Sequence, residues 1–288
     1  MKKSMKKKEG NANSVWKMLS RNKTALIGLV IVLMVIAMAL FAPCISPYDP
    51  DAMDLSYMFS KPGTAGHLLG TDEFGRDLLS RMIYGARVSI AVAFGGTIVG
   101  GGLGIILGLI SGFKGGVIDS VIMRFIDGMF AFPFVLLAIV LMTVLGSGLR
   151  NVILAIGIAN IPGCARLVRG QVHVVKNEEY CKAIEALGGS EWRLLFHHIL
   201  PNILSPVIVF ITLNIASAII SEAALSFLGL GIQPPQASWG NILRAGKDYL
   251  NTAPHIATIS GLFILLSVLG FNLLGDGIRD VLDPRMKR

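Results

Sequence analysis

NEEYCKAIEALGGSEWRLLFHHILP, residues 177–201, lies between two long apolar stretches and decides how the chain is organised. Tyr180, Ala183, Ile184 and Leu187 recur at i, i+3, i+4 and i+7, which lays one apolar stripe along a short helix. Asn177 is placed to cap its start, Glu178 and Lys182 form an i,i+4 pair in the favourable order, and Gly188–Gly189 ends it. Ser190 caps a second helix, on which Trp192, Leu195, Phe196 and Ile199 repeat the spacing. The segment reads as a helical elbow whose apolar face some other surface must cover.

The flanking stretches are long enough to cross a bilayer. The 288 residues are 53% hydrophobic and 15% charged, with mean hydropathy +0.66. A soluble domain carries about a quarter charged residues, and a membrane-crossing helix takes about 20 apolar ones. Segments 24–42, 88–110, 121–145, 152–168, 203–227 and 256–274 meet that need. The expected fold class is therefore all-α, a polytopic membrane protein with about six transmembrane helices. The fourth segment is short and carries Asn160, Pro162 and Arg166. It either crosses as a buried span supported by its neighbours or crosses only in part.

Charge sets the orientation. Lys2, Lys3, Lys6, Lys7, Lys8, Lys17, Arg21 and Lys23 precede the first span, against the single acid Glu9, which places the N-terminus in the cytoplasm. Alternation then puts the acidic loop with Asp49, Asp51, Asp54, Asp72, Glu73 and Asp77 outside, and the elbow and C-terminus inside. The net charge of +8 and pI near 9.5 reflect the lysine cluster, whose expected partner is anionic membrane lipid and not nucleic acid. The first apolar run is long for a signal peptide, and Phe41-Ala42-Pro43 before Cys44 makes a poor processing site. Cys44, Cys164 and Cys181 are too scattered for a disulfide framework or a metal site.

Within the spans, Gly96, Gly100, Gly104, Gly108 and Gly112 form a stripe of close helix approach, either a static packing seam or one along which helices slide. Arg124 and Asp127 stand i,i+3 on the third span as an intramembrane pair, which either marks a functional site or neutralises itself and ties helices together. Glu222, near the outer end of the fifth span, faces either an outer vestibule or a partner subunit. Asp72, Glu73, Arg76 and Asp77 around Gly75 either touch a partner or gate outside the membrane, or pair among themselves to fix the loop. Trp239 is expected half-wet at the outer interface. GxxxxGK[ST], HExxH and GxSxG motifs are missing, and His197–His198 point about 100° apart, so neither nucleotide binding nor a metal or hydrolase site is indicated.

The elbow resembles the cytoplasmic loop of permease subunits from binding-protein-dependent ABC importers. That pattern reads Glu-Ala-Ala, three residues, Gly, nine residues, Ile, any residue, Leu-Pro. Ala183, Gly188, Leu200 and Pro201 match it in register, while Lys182, Ile184 and His198 replace the first Glu, the second Ala and the Ile. LGTDEFGRDLLSR (69–81), LSFLGLGIQPPQASWGNIL (225–243) and NLLGDGIRDVLDPR (272–285) resemble the second permease subunit of the peptide/nickel importers.

The resemblance implies a division of the chain. A basic cytoplasmic segment (1–23), a first transmembrane helix (24–42) and an extracytoplasmic loop (43–85) precede a type I importer core (86–274) that contains the elbow, and a cytoplasmic tail (275–288) follows. It also implies a complex in the cytoplasmic membrane with a second permease, two ATPase subunits and an extracytoplasmic solute-binding protein. Tyr180, Lys182, Ala183, Ile184, Glu185, Ala186, Leu187, Gly188 and Gly189 would dock on an ATPase. The chain would catalyse nothing and bind no cofactor, with ATP and Mg on the partners. Its cargo would be dipeptides or oligopeptides, with nickel or a metal chelate as the alternative. An ion channel would instead need a filter, and an intramembrane enzyme a catalytic pair, neither of which the spans supply.

Overall fold

A computed structural model describes residues 22–64 and 66–282, and among them the regular structure is helical. Helix α1 (Lys23–Ile45) is capped by Asn22, whose side chain accepts from the amides of Thr24 and Ala25. An outer segment with one 3-10 turn (Leu55–Tyr57) leads to α2 (Leu78–Lys114), which starts well before the expected boundary at 86–88. The cause is Asp77, whose carboxylate accepts from the Ser80 amide at 2.7 Å and fixes the first turn.

The expected third span is broken. α3 (Gly116–Phe130) and α4 (Phe134–Leu145) meet at a 91° bend. Pro133 explains it: its ring drives Phe132 out of helical conformation and supplies no amide to α3. By contrast, α5 (Leu149–Lys176) is a full-length helix of 28 residues despite Pro162. At about 1.5 Å per residue the helix that contains the fourth segment is long enough for a full crossing.

After α6 (Glu179–Ala186), the second elbow helix is not separate. It is the first turn of α7 (Glu191–Phe227), 37 residues long, with a widened π turn over Leu194–Ile199. That turn leads directly into Leu200–Pro201, where a regular α turn would press the proline ring on the His197 carbonyl. The short α8 (Trp239–Lys247) and the long α9 (Pro254–Leu282) complete the chain. Among the described residues five helices are long and apolar enough to cross a membrane, and the bent pair makes six if counted as one span. The last helix continues past 274, and the lysines of segment 1–21 and the tail beyond 282 lie outside the described residues.

Packing follows the small residues. α2 and α5 form the most extensive helix pair, while α1 lies across α9 and α2. A Cβ at Gly28 would stand 2.6 Å from the Leu274 amide nitrogen, and one at Gly270 2.6 Å from Ile31 Cγ2, so glycine on both sides sets the α1–α9 distance. Three main clusters fill the interior. One surrounds Trp239 and Met82 at the end of the bundle away from the elbow, a second lies between α2, α4 and α5, and a third sits under the elbow around Cys181, Leu194 and Ile203.

Candidate functional site

The elbow is built from α6 and the start of α7. Asn177 does not cap α6: it closes α5 instead, its amide donating to the His173 carbonyl at 2.9 Å, and Glu178 takes the N-cap position. Glu178 and Lys182 are both exposed and form no ion pair among the described residues. Gly188 sits at φ +76, a left-handed position that closes α6 and that side chains other than Asn and Asp rarely adopt. Ser190 accepts from the Arg193 amide at 3.4 Å, as its sequence position suggests.

The apolar stripe divides in two. Cys181 is fully buried and Ile184 packs inward beside it, so Ile184 belongs to the support and not to the outer face. Gly189 also turns inward, its Cβ position 2.5 Å from Ile184 Cγ2. The outer face keeps Tyr180, Lys182, Ala183, Glu185, Ala186, Leu187 and Gly188, all exposed, with Leu187 at 88%. Trp192 and Phe196 on α7 stack with ring centroids 5.2 Å apart, and Trp192 is 72% exposed. The Tyr180 hydroxyl accepts from Asn202 of α7 at 3.0 Å. Loss of solvent, together with the neighbouring Cys181 thiol, raises the Tyr180 phenol above its ordinary range, so it stays neutral. This is a large uncovered apolar surface on a firm base.

Polar contacts fix that base to the long helices. Lys176 donates to the Phe113 carbonyl at 2.7 Å, and Lys114 pairs with Glu191 at 2.5 Å, so the end of α2 holds both sides of the elbow. Arg169 of α5 grips Asp119 of α3 through two 2.6 Å bonds, and Ser111 also donates to Asp119. Arg166 meets Asp127 at 2.7 Å and lies 4.0 Å over the Phe130 ring. The expected Arg124–Asp127 pair is thus corrected: Asp127 reaches across to α5, and Arg124 is exposed without an ion pair among the described residues. Arg166 and Arg169, i,i+3 in an apolar helix, were the overlooked signal, since cations at that depth need carboxylates from another helix.

The glycine stripe of α2 faces α5. A Cβ would lie 2.5 Å from the Gly157 carbonyl oxygen at Gly100, 2.5 Å from Cys164 Cβ at Gly104 and 2.6 Å from the Ala165 carbonyl oxygen at Gly108. Gly96 and Gly112 continue the seam against Ile156 and Val172. Gly102, on the opposite side, has nothing within 4 Å.

In the loop between α1 and α2, Arg76 meets Asp72 at 2.7 Å and Glu73 at 3.4 Å, and Arg81 at the start of α2 reaches Asp72 and Asp51, each at 3.3 Å. The loop is self-paired. Burial and the neighbouring Asp72 carboxylate raise Glu73 above its ordinary range. Two expectations need correction. Trp239 is fully buried, its indole donating to the Met82 carbonyl at 2.9 Å, because α8 folds it beneath the loop. Glu222 faces no vestibule: it is fully buried and accepts from Ser226 at 2.8 Å and Ser89 at 3.4 Å, stitching α7 to α2.

Comparison with known proteins bears on this arrangement. Residues 104–288 match the family described as binding-protein-dependent transport system inner membrane component, and residues 12–62 match the N-terminal TM domain of oligopeptide transport permease C. The di/tripeptide transport system permease protein DppC of Pseudomonas aeruginosa is 44% identical over 277 residues, covering 94% of this chain and 91% of the relative. The glutathione transport system permease protein GsiD of Pectobacterium atrosepticum is 43% identical over 273 residues, 94% and 90% of the two chains. The dipeptide transport system permease protein DppC of Alkalihalophilus pseudofirmus is 45% identical over 274 residues, 94% and 89%. A solved structure of the MetNI methionine ABC transporter in inward-facing conformations matches with TM-score 0.54 at 17% identity, over 72% of this chain and 96% of that one. An amino acid ABC transporter crystallised with histidines matches with TM-score 0.55 at 13% identity, over 70% and 94%.

Proposed function

The chain belongs to the family of binding-protein-dependent transport system inner membrane components, and from that membership we propose that it forms half of the translocation pathway of an ATP-driven importer of small peptides. The observation that carries the coupling half of this reading is the elbow's outer face, where Leu187 and Trp192 stand 88% and 72% exposed on a segment placed in the cytoplasm by the charge pattern. An ATPase subunit covers that face. Two ATPases, a second permease in a heterodimer and an extracytoplasmic binding protein complete the complex, which sits in the cytoplasmic membrane with both termini of this chain inside. ATP and Mg stay on the partners, and this chain moves without catalysing.

The fold supplies the transmission. Because α7 runs unbroken from the elbow to its far end, displacement of Glu191 moves a lever about 55 Å long, at about 1.5 Å per residue. The Lys114–Glu191 pair ties α2 to the start of α7, and the Arg169–Asp119 and Arg166–Asp127 pairs tie α3 to α5, which packs along α2. Closure of the ATPases on ATP draws the two elbows together and opens the pathway outward, and hydrolysis resets it, as a rigid-body change of access. The proposed division is a cytoplasmic segment 1–23, a first transmembrane helix 24–42, an extracytoplasmic loop 43–85, a core 86–274 and a cytoplasmic tail 275–288, with α2 already begun inside the loop segment.

Peptide cargo is favoured over nickel because the relatives described above carry dipeptide, di/tripeptide and glutathione names. The test uses the complete reconstituted complex and uptake of a labelled dipeptide. Unlabelled di- and tripeptides compete and nickel salts do not. Nickel uptake that peptides leave untouched would overturn the assignment.

A further inference from the structure

Many polar side chains on these helices bond their own backbone, and others, such as Ser89 and Ser226 at Glu222, bond a neighbouring side chain. Thr212, Ser217, Ser221, Thr258 and Ser267 each donate to a backbone carbonyl one turn earlier. The amides of Asn202 and Asn214 do the same. A polar group inside lipid is ordinarily satisfied this way. Thr97 on α2 and Asn160 on α5 are not: Thr97 Oγ1 and Asn160 Nδ2 are buried without a hydrogen-bond partner among the described residues. Thr97 is 6% exposed.

Both side chains border one small cavity, together with Gly101, Phe210, Ile211 and Asn214. Three helices meet there closely. A Cβ at Gly100 would stand 2.9 Å from Asn160 Cβ, and one at Gly101 3.7 Å from Ile211 Cγ1. Asn214 donates its amide to the Phe210 carbonyl at 2.8 Å, which leaves its Oδ1 free to accept. Burying a hydroxyl and an amide unpaired in an apolar surrounding costs on the order of several kcal/mol. Something polar is needed at this point.

The cavity leaves about 10 Å³ in which the centre of a water molecule can sit, and a single water is first accommodated at roughly 10–15 Å³ by that measure. Nothing larger fits. Water also has the matching donors and acceptors: its oxygen accepts from Asn160 Nδ2, and its hydrogens are donated to Thr97 Oγ1 and Asn214 Oδ1. We propose that Thr97, Asn160 and Asn214 hold one ordered water at the crossing of α2, α5 and α7. Such a water keeps three polar groups satisfied while the helices change separation, because it reorients where a direct side-chain bond would break.

The test is X-ray radiolysis of the complete complex in lipid nanodiscs, which makes hydroxyl radicals from bound as well as bulk water. Cys164, one turn beyond Asn160, is the reporter: it is 1% exposed and its thiol lies 3.5 Å from the Gly101 carbonyl. Cys181, also fully buried but beneath the elbow, is the internal control. Oxidation of Cys164 is expected several times faster than that of Cys181, lost in Thr97→Val combined with Asn160→Leu, and kept in Thr97→Ser. Equal rates at the two cysteines, or Cys164 oxidation unchanged in the double variant, overturn the proposal. Should the double variant not assemble, a high-resolution map of the unaltered complex decides. Density within hydrogen-bond reach of Thr97 Oγ1 and Asn160 Nδ2 supports the water, and an empty cavity refutes it.

Discussion

Gly188→Trp is expected to abolish transport and substrate-stimulated ATP hydrolysis while the membrane part still assembles. The reason is that a Cβ at Gly188 meets nothing within 4 Å among the described residues, so a bulky side chain there projects from the outer face of the elbow into whatever covers it. Backbone strain is a second effect, because φ +76 costs an ordinary residue about 1–3 kcal/mol. Gly188→Asn separates the two, since Asn tolerates the left-handed conformation with a short side chain. Asn is expected to retain most transport, and Trp none, with similar yields of permease. If Trp transports normally, the elbow does not dock an ATPase.

Gly104→Leu gives the second large effect, this time on folding. Its Cβ alone would lie 2.5 Å from Cys164 Cβ, and the rest of the side chain has no room along the α2–α5 seam. Overpacking a filled interior costs about 1–3 kcal/mol or more, and here it separates the most extensive helix pair in the fold. The expected result is loss of monodisperse protein after extraction and loss of copurifying partners. Gly102→Leu, on the same helix but facing open space, is expected to leave both unchanged. Equal yields from the two variants would show that the seam does not hold α2 and α5 together.

The spans were legible because a bilayer demands long apolar runs, and a run is visible without knowing its neighbours. The bend at Pro133 was half-legible: the proline stood in the sequence, but the expected span ran through it. Partner choice was not legible. Asp127 has Arg124 three residues away yet bonds Arg166 of another helix, and only the approach of α3 to α5 decides between them. The same limit misplaced Trp239, since nothing local says that α8 will fold beneath the outer loop.

The elbow shows the limit most finely. Its period correctly gave an apolar helix, but Ile184 lies angularly between Tyr180 on one edge and Cys181 on the other. The burial of Cys181 against Leu194 and Ile199 pulled Ile184 inward. Family resemblance implies a docking role, and the structure adds which apolar residues of that helix are exposed: Tyr180, Ala183, Ala186 and Leu187, with Trp192 and Phe196 beside them.

Uphill accumulation of a labelled dipeptide in liposomes tests most directly whether motion reaches this chain from its partners. With the second permease, both ATPases, the binding protein and ATP present, the peptide concentrates inside. The purified chain alone, given the same ATP and peptide, accumulates none. Accumulation against a gradient by the chain alone would contradict the account at its root.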